Sequence, residues 1–416
     1  MESSSGVVES HFVLDSISVF DSKYIAYSDY VRRSQYCFGA LGLDKSEYSA
    51  RCMGAWITRC FECPNVSNTT DSYYCTKTYN CRDCMFCFGV ENGSYVIGNT
   101  RLPKDKYLSI KASLTAQIAQ AISKDGKIFS VFDIVEKCND RHSAKQWSFP
   151  ASNETPFDIA PIEKAFSQTT SLIFGKPFQN LQSYHGFLQK HIPENVALKS
   201  AVSASEVLAC SYRAHLLSIY DLKKRMARED EIRFMAKDSD GLVRPESLRI
   251  DLEELAKMLS QVAYCNLDRM IGNVQNVSNA TVLIDAQDCY CGSAFTFCKK
   301  CSHCYWASVS EAIFGSYCVF DSSFCAKCYN SKKMTRAFEC DTCEDCADAY
   351  FLHNCENVRD SMFCFNAKNL SHAVGNAPLP AEQYGKIKSG IAAQIADELE
   401  RKKDLKWDIF NLGAKK

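Results

Sequence analysis

Residues 13–48 read VLDSIS VFDSKY IAYSDY VRRSQY CFGALG LDKSEY, and this stretch decides the fold. In sixes, each unit opens on a larger apolar residue: Val13, Val19, Ile25, Val31, Cys37 and Leu43. A small residue follows three places later: Ser16, Ser22, Ser28, Ser34, Ala40 and Ser46. Every third residue is therefore apolar or small, which fits neither the helical period nor strict strand alternation.

Beyond a slip near Trp56 the pattern resumes at Ile57 and runs through Cys60, Cys63, Val66, Thr69, Cys75, Cys81, Cys84 and Cys87. It returns at Val274 and continues through Cys298, Cys301, Cys304, Ile313, Cys325, Cys340, Cys343, Cys346 and Cys364. About sixty such positions hold no Asp, Glu, Lys or Arg, although those types make up 23% of the chain. Chance would produce that roughly once in ten million trials, so the pattern is structural. A short fixed period of inward residues predicts a β-solenoid, in which each coil lays its core on the coil below. With three sides of six residues, a coil would take about eighteen residues and each block about five coils.

The blocks are also copies of one another. ITRCFECPNVSNTTDSYYC from Ile57 aligns without gaps to MTRAFECDTCEDCADAYFL from Met334. RDCMFCFGVENGSYVIGNTRLPKDKY from Arg82 aligns to RDSMFCFNAKNLSHAVGNAPLPAEQY from Arg359. Roughly four residues in ten agree, so one unit occurs twice. In both copies Gly-Asn and Leu-Pro precede a helix, Pro suiting a first helical turn. Ile110, Leu114, Ile118 and Ile122 mark the buried face of the first helix, whose task would be to cap the open solenoid end. The sequence thus predicts an α+β fold: solenoid 11–98, capping helix 99–125, mainly helical middle region 126–272, solenoid 273–376, capping helix and tail 377–416. Within the middle region, 148–161 reads as a connector and Glu206–Ala227 and Pro245–Ile271 as helical. KKRMAREDEIR from Lys223 reads as a solvated helix face.

Composition narrows the function classes. A net charge of -1 gives no electrostatic case for nucleic acid as a partner. No run approaches eighteen apolar residues, so no membrane insertion is expected. The polar start, Met1 to Ser10, lacks the features of a signal peptide, which points to the cytoplasm. The sequons at Asn65, Asn68, Asn276, Asn279 and Asn369 then read as incidental corner residues. No phosphate loop, dinucleotide fingerprint or nucleophile elbow occurs, which weighs against an enzyme.

Of the 24 cysteines, most lie on the triplet positions. Three Cys-x-x-Cys-x-x-Cys runs carry the candidate metal ligands: Cys81, Cys84, Cys87; Cys298, Cys301, Cys304; and Cys340, Cys343, Cys346. Thiolates at this spacing take zinc or an iron–sulfur cluster. The duplication argues instead for core packing with no cofactor, because Cys340, Cys343 and Cys346 align with Cys63, Val66 and Thr69. Likewise Cys81, Cys84 and Cys87 align with Val358, Ser361 and Cys364. Free cysteine packs as a small apolar residue. His303, between Cys301 and Cys304, would either complete a metal site or point outward into solvent. Aromatics off the triplet phase, as in Tyr350-Phe351, Met362-Phe363 and Phe365, should either stack along one outer face or be covered by the helical region; an exposed stripe would be a protein-binding surface.

At NCRDCMFCFGVENGSYVIGN and AFECDTCEDCADAYF the chain resembles Cys-rich hexad-repeat solenoid proteins of uncultivated microbes and phages. The resemblance covers the two blocks and implies the fold. The function expected from all this is a structural or scaffolding subunit of a larger assembly, with other protein subunits or further copies as partners. The alternatives are a thiolate metal protein, or an enzyme with its site between solenoid and helical region, drawing on His215 or Glu229.

Overall fold

A computed structural model of the chain describes residues 3–141, 147–149, 156–211 and 213–412. The fold is mixed α/β, with two large, mostly parallel thirteen-stranded sheets and, among the described residues, eight α-helices. It divides into two compact units. The first comprises Met1–Ala151, Ala197–Val207 and Arg213–Leu267; the second comprises Ser152–Val196, Leu208–Tyr212 and Asp268–Lys416.

In the first unit, four-residue strands alternate between two ladders. Ser5–Val8, Ile17–Phe20, Asp29–Arg32 and Leu41–Asp44 stack on one; His11–Leu14, Lys23–Ala26, Gln35–Phe38 and Glu47–Ala50 stack on the other. Pairing is parallel at a constant offset of twelve, as in Val19↔Val31 and Val13↔Ile25. The expected eighteen-residue coil is thus corrected to a twelve-residue rung. Three-residue spacing of inward side chains fixes what enters the core but not how many triplets close a rung. The outward residues carry that information, since like side chains stack at intervals of twelve.

The triplet arises from the backbone. The residue before each inward position is left-handed: φ is 41° at Asp15, 57° at Tyr24 and 62° at Asn65. One such residue in three returns every third side chain to the same side. The conformation costs an L-residue roughly 1 kcal/mol, least for Asn and Asp, which are frequent there. All five sequon asparagines occupy it. The cost is offset by ladder bonds such as Ile17 N–H to Ser28 O and Tyr27 N–H to Leu14 O, both 3.0 Å, and by full burial of the inward residues.

Serine recurs inside because a buried N–H must be satisfied. The Ser22, Ser34 and Ser46 amides donate to the hydroxyls of Ser10, Ser22 and Ser34, twelve residues earlier, at 3.0, 3.1 and 3.0 Å. The Ser22 and Ser34 hydroxyls in turn donate two residues back, to Phe20 O and Arg32 O, both at 2.7 Å.

The slip near Trp56 is a rung short by one residue, where Leu43 pairs with Gly54 and Asp44 with Ala55. The second triplet series then closes on an antiparallel pair, Ser94–Ile97 with Thr100–Arg101. Asn99 clips the turn by accepting from Phe88 N–H at 2.8 Å and donating to Phe88 O at 2.9 Å. Helix Lys104–Asp125 follows, with Pro103 before it and left-handed Gly126 after it. Its buried residues are Tyr107, Leu114 and Ile118, whereas Ile122 is exposed.

The second unit repeats this scheme. Gln275–Ile284, Gln287–Thr296 and Lys299–Ser308 pair in parallel at the same offset, with Cys289↔Cys301 and Gly292↔Cys304. Its closing pair is Ala373–Val374 with Ala377–Pro378, and Asn376 clips Phe365 as Asn99 clips Phe88, at 2.9 and 2.8 Å. Helix Ala381–Lys402 follows. The aromatic face of this unit is largely covered, with Phe363, stacked on Phe351, and Phe365 only partly buried. Phe338, Tyr350, Phe351 and Met362 are buried with Phe166 and Phe174 of helix Ala160–Phe174 and with Leu399 of the last helix.

Four segments differ from the sequence reading. The connector 148–161 lies partly outside the described residues, and its end, Ala160 and Pro161, begins helix Ala160–Phe174. Glu206–Ala227 is not one helix: it holds strand Glu206–Ala209 and one short helix, Leu216–Ile219. Pro245–Ile271 is α-helical only over Leu252–Leu259, after a 3-10 turn at Pro245–Ser247, and ends in strand Met270–Ile271. The charged run from Lys223 is not wholly solvated. Arg225 is buried and donates to the carbonyls of Ser260 at 2.7 Å, Arg141 at 2.6 Å and Cys138, while Glu231 accepts from Ser200 Oγ at 2.6 Å. Charge alone did not reveal these partners, because they come from distant segments.

Candidate functional site

In the second unit one outward column passes through successive rungs as Asn279, Cys291, His303, Gly315, Lys327, Glu339 and Phe351. All but Gly315 are left-handed residues other than glycine, and Gly315 has φ +60°. Segments Leu181–Ile192 and Leu405–Ile409 lie over this column. Gly315 permits their approach, since a Cβ there would sit 2.9 Å from Leu188 O.

At the head of the column, Cys291 and His303 face each other across adjacent strands, beneath His185 at the start of helix His185–Gln189. His185 Nδ1 lies 2.9 Å from His303 Nε2. These nitrogens and Cys291 Sγ all fall within 4.8 Å of one another. Ser302 Oγ, 2.7 Å from His303 Nδ1, fixes the ring. Asn279 donates to Cys291 Sγ at 3.5 Å, and Gln189 Oε1 lies 3.5 Å from the same sulfur. His303 is fully buried, so the outward, solvated histidine is corrected: a covering segment meets the column here. Burial, with His185 and Lys327 adding positive charge nearby, pulls its imidazole down to about 3. Burial pushes the Cys291 thiol up to about 11. His185 is partly exposed and gives the cluster a path to solvent.

The nine run cysteines are placed differently. Cys81 Sγ lies 3.4 Å from Tyr79 O and 3.3 Å from Val90 O; Cys84 and Cys87 repeat this two-back, nine-on arrangement. Cys298, Cys301 and Cys304 do the same, as do Cys340 and Cys346, and Cys343 donates to Asp341 O at 3.2 Å. Burial pushes the thiols of Cys298, Cys301 and Cys304 well up. Among the described residues, none of the nine joins a group of three ligand atoms within 4.8 Å. Every one of the 24 cysteines is a free thiol, and all but Cys318 are buried. The sequence reading did not find the His-Cys-His cluster. Cys291 and His303 share the interval of twelve, but nothing local ties His185 to them.

In the first unit the aligned column carries Glu62, Tyr74 and Phe86. Glu62 is buried, paired with Arg51, and accepts from Val131 N–H at 3.1 Å. Burial, opposed by Arg51 and reinforced by Asp133, pushes its carboxyl up to about 7. A carboxyl that keeps its proton longer when folded stabilises the unit fully below its ordinary range near 4.5. That contribution is lost as pH rises through about 7. Urea denaturation of the wild type should therefore show a decline of about 3 kcal/mol between those limits. Glu62→Gln should flatten the profile; an unchanged slope in the variant would assign the titration elsewhere. Of the enzyme candidates, Glu229 is held by Lys77 at 2.6 Å, Tyr79 Oη at 3.0 Å and Arg233 at 2.7 Å. A surface cleft lined by Asp133, Glu136, Lys137, Asp140, Asp221 and Lys224 includes neither Glu229 nor His215.

The first unit also carries an uncovered aromatic ladder. Phe12, Tyr24, Tyr36 and Tyr48 stack with ring centroids 4.8, 4.6 and 4.8 Å apart and planes within 6° of parallel. Phe12 is 69% exposed and Tyr48 55%, with Tyr27 and Phe38 also exposed. Through Arg59, which follows Tyr48 in register, the same column continues to Asp71 and Asp83. There the chain's own helix lies over it, Lys111 Nζ reaching Asp83 at 2.7 Å. No helix among the described residues is long and apolar enough to cross a membrane. No protein-family model, curated protein or solved structure matches this chain.

Proposed function

We propose that each parallel sheet system is a narrow β-solenoid of twelve-residue coils, and that the protein is a structural or scaffolding subunit of a larger protein assembly. The aromatic ladder of Phe12, Tyr24, Tyr36 and Tyr48 carries this reading. Four stacked rings with exposed edges, beside Tyr27 and Phe38, form the kind of rigid apolar strip on which protein interfaces concentrate. Its occupant is the apolar face of a helix from another subunit, because the chain's own helix Lys104–Asp125 already covers the last rungs of that column. The aligned contact recurs in the second unit, where Lys388 lies 3.7 Å from Asp348 and 3.6 Å from Asp360. Free thiols throughout support a reducing compartment, the cytoplasm. The resemblance to Cys-rich solenoid proteins belongs to the same reading.

Native mass spectrometry of the full chain tests it. An oligomer or a complex with a second protein subunit is expected, and the two masses distinguish the sources of the helix. Tyr24→Glu with Tyr48→Glu should weaken the assembly at least thirtyfold, about 2 kcal/mol or more for such anchors, with circular dichroism unchanged. A bare monomer at all concentrations, or an assembly indifferent to the substitutions, would overturn the proposal.

A further inference from the structure

We propose that His185, Cys291 and His303 form a binding site for a zinc-type divalent transition-metal ion, with Nδ1, Sγ and Nε2 as ligands and Gln189 Oε1 beside the fourth position. Two imidazole nitrogens and one sulfur are a donor set for a tetrahedral borderline metal. Zinc at about 2.0 Å from nitrogen and about 2.3 Å from sulfur sets these ligand atoms some 3.3 to 3.5 Å apart. The nitrogens here stand 2.9 Å apart and open by a few tenths of an ångström to admit the ion, while the sulfur, within 4.8 Å of them, closes on it. At that distance one nitrogen must carry the shared proton, and the metal takes its place.

The surroundings are those of a built site. Ser302 Oγ holds the far nitrogen of His303 and so presents Nε2, the role outer partners play for ligating histidines. The Tyr290 ring stands edge-on to His303 at 5.8 Å and walls one side. Asn279 and Gln189 address the sulfur from two directions. Two ligands sit on a fixed twelve-residue register and one on the covering segment. The ion would therefore pin helix His185–Gln189 to the sheet.

The many core thiols make the choice of probe important. Cobalt(II) added to the reduced full chain under anaerobic conditions is expected to give tetrahedral d–d bands and a thiolate charge-transfer band. Both should saturate at one equivalent and bleach when zinc is added. Cys291→Ser should abolish the charge-transfer band. His185→Ala, at a partly exposed position where folding is not at stake, should weaken binding at least tenfold. Cys301→Ser, in the core, should leave the spectrum unchanged. Absence of the bands, or a spectrum that survives Cys291→Ser and disappears in Cys301→Ser, would overturn the assignment.

Discussion

Lys327→Met should destabilise the second unit by about 2 to 5 kcal/mol, the cost of leaving two buried carbonyl acceptors without their donor. The Lys327 side chain is fully buried, and its ammonium donates to Phe187 O at 3.0 Å and Lys190 O at 2.7 Å. Glu339 lies one rung on in the same column, fully buried, accepting from Ile409 N–H at 2.9 Å. Burial pushes the lysine down and the glutamate up, and their mutual attraction opposes both shifts. Methionine fills the volume but leaves two carbonyls without a donor and one carboxyl without a counter-charge. Urea unfolding of the single variants and of Lys327→Met/Glu339→Gln would measure the coupling. The double variant should cost clearly less than the two singles together, by about 1 to 3 kcal/mol. Strict additivity, or a single-variant cost below about 1 kcal/mol, would show that the pair does not hold the covering segments down.

The other large effect belongs to Gly54, in the eleven-residue rung. A Cβ there would stand 2.0 Å from Val66 O and 3.0 Å from its carbon, in the rung directly above. Backbone rather than a flexible side chain blocks the space. Gly54→Ala must therefore push apart the strands that pair Val66 with Gly54 and strain the Val66 N–H to Met53 O bond, now 3.1 Å. The expected loss is about 3 kcal/mol or more, beyond ordinary overpacking. Gly126→Ala is the comparison: its φ is also positive, at 64°, but nothing lies within 4 Å, so it should cost about 1 kcal/mol. Thermal unfolding of both variants checks the order. Equal losses would show that left-handed backbone, not the close approach, governs Gly54.

Much of the architecture is legible in the chain because inward positions tolerate so few residue types. Val13 to Leu43 and Ser16 to Ser46 mark the core, Gly98-Asn99 and Gly375-Asn376 mark the closing turns, and Pro103 and Pro380 mark the helix starts. Rung length is hidden from the inward triplets, which recur every third residue whatever number of them closes a rung. The columns Phe12, Tyr24, Tyr36, Tyr48 and Asn68, Asn80, Asn92 display it openly, the latter linked side chain to side chain at 2.8 and 3.2 Å. The middle region was less readable, since Arg225 and Glu231 look solvated until Cys138 and Ser200 arrive beside them. The His-Cys-His cluster was unreadable for the same reason, with one ligand contributed by a covering segment.

The constant interval of twelve gives this chain a unit of growth. Gaining or losing twelve codons changes the length of a block by one strand spacing, about 4.8 Å. Every column keeps its alignment, so faces, ladders and closing turns are inherited intact. One residue is dropped at Gly54, where neighbouring backbones come close, and one is added beside Gly272, where Met270 pairs with Leu283. Such a protein is a gauge graduated in its own gene, whose reach can drift by whole divisions without being redesigned.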